Sequence, residues 1–200
     1  MSYERRLFSS TVLIISSFFY FSCQNQEEGE ELEPIAEAQV DSHQELLERG
    51  KYLIEIMGCN DCHSPKKMGE RGPEIIPELA LSGFPADRPI LKFEDPLIKE
   101  GFGMMYPDLT GAAGPWGLSF AANLTPHETG LGNWTLEQFT IALREGKSKG
   151  IRTNRMLLPP MPWQNYVGIK DEDIAALFEY LQSIPPVDNR VPQPIEPQSM

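Results

Sequence analysis

The sequence predicts an all-α domain. Three segments place apolar residues at helical spacing: Leu46, Gly50, Leu53, Ile54 and Met57; Leu136, Phe139 and Leu143; and Ile174, Leu177, Phe178 and Leu181. No stretch of the chain shows the period-two alternation of a half-buried strand, and no internal repeat is visible. Between the helical patterns the chain is broken up by many of its 18 prolines and 16 glycines, which points to loops rather than further long elements.

Residues 1–22 read as an export signal. Arg5 and Arg6 precede a mostly apolar run from Leu7 to Phe21, long enough for a signal core and short for a membrane span. The run ends at Ser22-Cys23, which resembles a bacterial lipoprotein cleavage site, so Cys23 is the candidate lipidated N-terminus. Ordinary cleavage nearby, or an uncleaved anchor, is the plainer alternative. Residues 23–41 are acidic and without aromatics, the composition of a disordered tether. Without residues 1–22 the chain carries 15 basic and 28 acidic residues, a formal charge of −13. That balance argues against nucleic acid as a partner. It suits a partner with a basic docking surface, through steering more than affinity.

A domain is expected over 42–187. Its first helix starts at Ser42, with Glu45 placed as a capping-box partner. That helix delivers the chain to Cys59-Asn60-Asp61-Cys62-His63. Two cysteines three apart, with His after the second, is the attachment pattern of a c-type haem. The gap lets both thiols reach the two vinyl groups on one haem edge, and His63 then falls under the iron. A zinc site or a redox dithiol also uses paired cysteines. Zinc would need further ligands, yet Cys23 lies in the signal and His43 and His127 stand alone. A dithiol of the thioredoxin kind would follow a strand, whereas a helix pattern precedes this pair. Export fits a haem, because haem of this type is attached outside the cytoplasm.

Residues 64–120 are punctuated by Gly and Pro and promise little long helix. A second helix is expected from Thr135, with Gln138 completing a capping box and Gly146 as its stop. Next comes Arg155-Met156-Leu157-Leu158-Pro159-Pro160-Met161-Pro162-Trp163. Met161 is the preferred sixth ligand of the iron, since prolines on both sides fix its backbone. Trp163 and Leu158 offer apolar cover. His and Met together raise the potential of the iron. Met57, Met68, Met104, Met105 and His127 are the rivals. The last helix runs from Asp171 to Ser183, with three acidic residues in its first turn, and Pro185-Pro186 ends it. Residues 188–200 form a Pro-rich, extended tail. His63 should donate its second ring N–H to a backbone carbonyl, for which the turn at Pro65 is the nearest source. Asn123, Trp134 and Arg144 are candidates for hydrogen bonds or counter-charge to haem propionates, and equally for caps, core or surface pairs.

The helix, the Cys59 to His63 motif, the loop methionine and the terminal helix together resemble class I cytochrome c. Gly50 lies nine residues before Cys59 and Tyr180 lies in the last helix, where that family packs a small residue against an aromatic. Ile54 stands where an aromatic is frequent. The strings Asn123-Leu124-Thr125-Pro126, Thr129-Gly130-Leu131-Gly132-Asn133-Trp134, Leu143-Arg144-Glu145-Gly146, Pro160-Met161-Pro162-Trp163 and Asp171-Glu172-Asp173-Ile174 are similar to modules in multihaem cytochrome subunits of alcohol and sugar dehydrogenases. The resemblance implies an all-α class I fold with long inserted loops around one covalent haem, with His63 and Met161 as axial pair. This chain has one module rather than two or three, and His127 stands where such modules often carry Asp. The expected ligands are 98 residues apart, so 64–120 reads as an insertion: a docking flap, a haem shield or a plain loop.

Three functions are compatible with these features. The first is a non-enzymatic electron carrier with one haem, exported and anchored to a membrane through Cys23, serving redox protein partners. The second is the cytochrome subunit of a periplasmic dehydrogenase. The third, a haem that binds ligands as a sensor or peroxidase, needs an open sixth position.

Overall fold

A computed structural model describes residues 42–91 and 96–197. The expected signal, Cys23 and the acidic tether lie outside the described residues. In chain order the elements are α1 (Ser42–Ile56), α2 (Cys59–His63), β1 (Lys66–Gly69), β2 (Gly72–Ile75), α3 (Pro96–Lys99), β3 (Met104–Met105), β4 (Gly111–Gly114), β5 (Gly117–Phe120), α4 (Leu136–Glu145) and α5 (Asp171–Ser183). Single 3-10 turns occupy Pro77–Leu79, Ser148–Gly150 and Trp163–Tyr166.

The three long helices form where their apolar spacing places them. α4 opens with the expected capping box: Gln138 N donates to Thr135 Oγ1 at 3.2 Å, and Thr135 N donates to Gln138 Oε1 at 2.9 Å. It closes on Gly146, whose φ of 64° is the left-handed cap that glycine adopts without strain. The absent side chain there has a second use, because a Cβ on Gly146 would strike the Trp163 ring. α1 crosses α5 at Gly50. A Cβ at that position would collide with the Ala176 carbonyl oxygen and stand 2.6 Å from Tyr180 Cβ. The crossing therefore depends on glycine for close approach, and Arg49 Nε closes its rim on Asp173 Oδ1 at 2.6 Å. Leu53, Ile54, Leu131, Phe139, Leu143, Ile174, Leu177 and Leu181 fill the core between these helices.

The expected all-α class is overturned. Among the described residues helix makes up 38% and strand 14%, and the strands build two small antiparallel sheets, so the fold is mixed α and β. All five strands fall in the 64–120 insertion. β1 pairs with β2 from Lys66↔Ile75 to Gly69↔Gly72, a hairpin closed by Glu70 and Arg71. β4 pairs with β3 on one side and with β5 on the other. The strands are two to four residues long. β4 is Gly111-Ala112-Ala113-Gly114, buried throughout, so it carries no alternation of apolar and polar residues. β1 and β2 pair through their turn, and β3 to β5 also through a second core.

That second core gathers Phe84, Ile98, Tyr106, Ala113 and Leu118, with Phe120, Val191 and Ile195 against it. Phe84 meets Tyr106 edge-on at 5.1 Å and Phe120 at 4.6 Å between ring centroids. The chain beyond 187 contributes to it. Leu118 and Ile195 exchange backbone hydrogen bonds of 2.8 and 2.9 Å. Asn189 is buried, with its amide donating to Ser82 O at 2.7 Å and Phe84 O at 2.9 Å.

Candidate functional site

Cys59, Cys62 and His63 all fall on α2, a single turn entered through Gly58 in the left-handed conformation. Both thiols are unpaired and half-buried. Burial pushes the Cys59 thiol up to about 11, and burial raises Cys62 as well. Thiols held in the neutral form are poorly suited to act as a reactive dithiol, which needs a stabilised thiolate. Among the described residues no group of three or more His, Cys, Asp or Glu side chains could hold a metal ion, so the zinc alternative finds no ligand set there.

His63 is oriented by a backbone carbonyl, from a source the sequence did not suggest. Its Nδ1–H donates to Ala122 O at 2.7 Å, across 59 residues, rather than to the local turn at Pro65. A carbonyl only accepts, so Nδ1 carries the proton and Nε2 keeps its lone pair. Burial lowers the basicity of the ring, against the pull of the Ala122 carbonyl, which favours the neutral ligand form. The segment around it is well fastened. Gly83 N donates to His63 O at 2.8 Å, and Ser64 Oγ donates to Asn60 Oδ1 at 2.8 Å while accepting from Leu81 N at 2.9 Å. Lys66 folds its ammonium back onto Asp61 O (2.6 Å), Ser64 O (2.9 Å), Asn60 O (3.3 Å) and Asp108 O (3.0 Å). A cation there complements the carbonyl end of α2 and ties it to the insertion.

Cys59 and Met161 pack against the same helical core, together with Met57, Leu124, Trp134, Tyr166, Ile169 and Phe178. These residues touch the core and are only partly buried. Tyr166 lies beside the two thiols, with its hydroxyl donating to Met57 O at 3.4 Å. Two thiols on one turn, an imidazole with one free nitrogen, and a thioether and partly buried apolar side chains on the same core fit a haem bound through Cys59 and Cys62.

The other expected residues sit as follows. Asn123 is 3% exposed, and its amide nitrogen points at Thr129 Oγ1 (3.1 Å), Val187 O (2.9 Å) and Asn189 O (3.3 Å), while its oxygen accepts from Thr125. Arg144 clips α4 to the start of α5, with Nε on Ile169 O at 3.0 Å and Nη1 on Asp171 Oδ1 at 2.7 Å. Trp134 lies against the helical core and Trp163 against Gly146. Among the rival ligands, Met68 is 74% exposed on β1, Met104 and Met105 are exposed on β3, and His127 Nδ1 accepts from Thr129 N at 3.2 Å. Ala122, Lys66 and Ser119, none of them marked by the motif, are the supporting residues that sequence reasoning missed. Only the neighbouring Asn123-Leu124-Thr125-Pro126 string hinted that this stretch mattered.

Comparison with known proteins shows the family. Residues 47–185 match the family described as Cytochrome c. Over 164 residues the chain is 29% identical to the fructose dehydrogenase cytochrome subunit of Gluconobacter japonicus, covering 80% of this chain and 26% of the relative. It is 30% identical to the cytochrome c subunit of a quinone alcohol dehydrogenase from Gluconobacter oxydans (strain 621H), with the same coverage. It is 28% identical over 157 residues to the gluconate 2-dehydrogenase cytochrome c subunit of Pantoea cypripedii, covering 75% of this chain and 27% of the relative. The chain thus spans about a quarter of the length of these curated relatives.

Proposed function

Since the chain belongs to the cytochrome c family, we propose that it is an exported carrier of single electrons with one covalent haem, joined through Cys59 and Cys62 and held by His63 and Met161. The observation that carries this reading is the His63 ring, fixed through Nδ1 to Ala122 O with Nε2 left free on the turn that bears both thiols. A bound haem would supply reversible one-electron chemistry. Cys59 and Cys62 would hold it covalently, Ala122 orients the imidazole of His63, and Met161 would offer a neutral, soft thioether that favours the reduced state. Trp134, Tyr166, Ile169 and Phe178 exclude water. Membership of the cytochrome c family and likeness to cytochrome subunits of dehydrogenases support an electron-transfer component rather than an enzyme. Lipidation of Cys23 would tether it to a membrane of the cell envelope. The net charge of −12 suits redox partners with a basic docking face.

A second reading is favoured by the names of the relatives, which are cytochrome subunits of fructose, alcohol and gluconate dehydrogenases. On that reading the chain takes electrons from a catalytic partner in a stable complex, and co-purification with a larger chain distinguishes it from a free carrier.

The deciding experiment is the optical spectrum of protein made with a haem-attachment system. We expect a c-type reduced spectrum, colour retained on denaturation, and a weak far-red methionine–iron band when oxidised. Met161→Ala should abolish that band and open the iron to cyanide. Wild-type protein that is high-spin and binds CO directly would instead indicate a sensor or peroxidase, and a colourless denatured chain would sink the proposal.

A further inference from the structure

The loop that carries Met161 is poor in donors. Pro159, Pro160 and Pro162 have no amide N–H. Met161 N turns back within the loop to Leu158 O at 3.2 Å. Ahead of the methionine Leu157 N reaches out to Gly146 O at 2.6 Å, and beside it the carbonyl of Pro159 is held from the insertion. Ser119, 7% exposed on β5, donates Oγ–H to Pro159 O at 2.6 Å across 40 residues. The same Oγ accepts from Trp116 Nε1 at 3.2 Å, with Ala112 O as a longer alternative acceptor at 3.3 Å. Three residues further on, Ala122 O accepts from His63 Nδ1. Residues 118–123 are themselves immobilised: Leu118 by Ile195, Ala121 N by Thr110 O at 2.8 Å, Ala121 O by Phe84 N at 3.0 Å, and Asn123 by its buried amide.

Resting on the His63 and Met161 reading above, we propose that residues 119–122 are a common clamp for both axial-ligand segments, with Ser119 as the positioning residue for Met161. One end of a short, fixed stretch of backbone holds the imidazole and the other holds the methionine loop. This gives the insertion a role: it sets the two ligands relative to each other, through the end of β5 and the two residues that follow it. A thioether is a weak ligand for ferric iron, so the loop's own placement has to supply much of its occupancy.

The test titrates imidazole into the ferric wild type and into Ser119→Ala, Ser119→Thr and Met161→Ala, while amide hydrogen exchange is followed at Met161 and Trp163. Ser119→Ala should tighten imidazole binding about three- to tenfold, the worth of one hydrogen bond. It should also weaken the far-red band and speed exchange at both amides. Ser119→Thr, which keeps the hydroxyl, should stay within about twofold of wild type. Arg49→Ala, which removes the pair to Asp173 at the rim of the α1 and α5 crossing, should lower the melting temperature without moving imidazole affinity, as a merely structural loss would. Ser119→Ala with wild-type imidazole affinity and wild-type exchange overturns the clamp. A wild type that already binds imidazole as tightly as Met161→Ala overturns the ligation reading, and exchange at Met161 then still decides whether Ser119 holds the loop.

Discussion

Asp108 shows how much of the site's support is built from single residues that no motif marks. Its carbonyl takes one bond from Lys66, and its carboxylate is buried among Thr110 N (3.3 Å), Thr110 Oγ1 (2.9 Å) and Arg88 Nη1 (2.7 Å), the last an ion pair without hydrogen-bond alignment. Arg88 in turn lies over the Phe84 ring at 5.2 Å. Burial alone would raise the Asp108 carboxyl, but Arg88 and Thr110 outweigh it and leave it below its ordinary value of 3.8. A carboxyl depressed in the folded state contributes stability above its unfolded value and loses it as pH falls through the folded one. Asp108→Asn should therefore be less stable than wild type near neutrality, with the gap closing as pH drops below 3.8. Unfolding midpoints measured from about pH 6 to pH 2.5 test this, and a gap independent of pH would refute it. At this scale the sequence was legible wherever the chemistry is local. Cys59, Cys62 and His63 occupy one turn and announce themselves by spacing. Lys66 and His63 find partners 42 and 59 residues away, and no local pattern encodes such distances.

Among the elements, the helices were readable and the strands were not, for a physical reason. α1, α4 and α5 run 10 to 15 residues, enough turns for an apolar stripe and for caps such as Thr135 and Gly146 to register. β1 to β5 are too short for period-two alternation to accumulate, and β4 has no polar face at all. The three-stranded sheet of β3, β4 and β5 depends on Phe84, Ile98 and Tyr106 packing with Ala113 and Leu118, which is tertiary information. The crossing of α1 and α5, by contrast, was visible in Gly50 and Tyr180. Gly50→Ala gives a clean test, because two effects oppose each other. Alanine favours an exposed helix by up to about 1 kcal/mol over glycine. Here the new methyl would meet the Ala176 carbonyl and Tyr180 Cβ, backbone and branch point rather than a flexible side-chain end. Overpacking of that kind costs about 1–3 kcal/mol or more. We expect net destabilisation, seen as a lower urea midpoint at unchanged slope; a stabilised variant would mean that the helices sit farther apart.

For the whole molecule the question is how two cores behave as one. The helical core and the core beneath the insertion meet at the chain between Val187 and Val191, and Asn189 is the joint. Its side chain accepts from Ala86 N at 2.8 Å and donates to Ser82 O and Phe84 O, while its own N–H donates to Thr129 Oγ1 at 3.1 Å. Asn123 reaches the same stretch from the other side, through Val187 O and Asn189 O. Sequence reading treated residues beyond 187 as a tail, because a Pro-rich run carries no periodicity to show what it touches. Replacing Asn189 with Ala leaves the carbonyls of the buried Ser82 and Phe84 without that partner, at about 1–3 kcal/mol for each group so stranded, while the N–H of the exposed Ala86 can turn to water. That loss should fall unequally. Phe84 and Leu118 amides report opening of the insertion core, and Leu177 reports the helical core. In Asn189→Ala, protection at Phe84 and Leu118 should drop further than at Leu177, as the insertion core opens without the helices. An equal drop at all three would mean that the cores are inseparable and that Asn189 is an ordinary buried bond within a single unit. The unequal outcome would also reach the site, since Ser119 and Ala122 belong to the part that loosens. The ligand segments would then lose their shared frame before the helices that surround them.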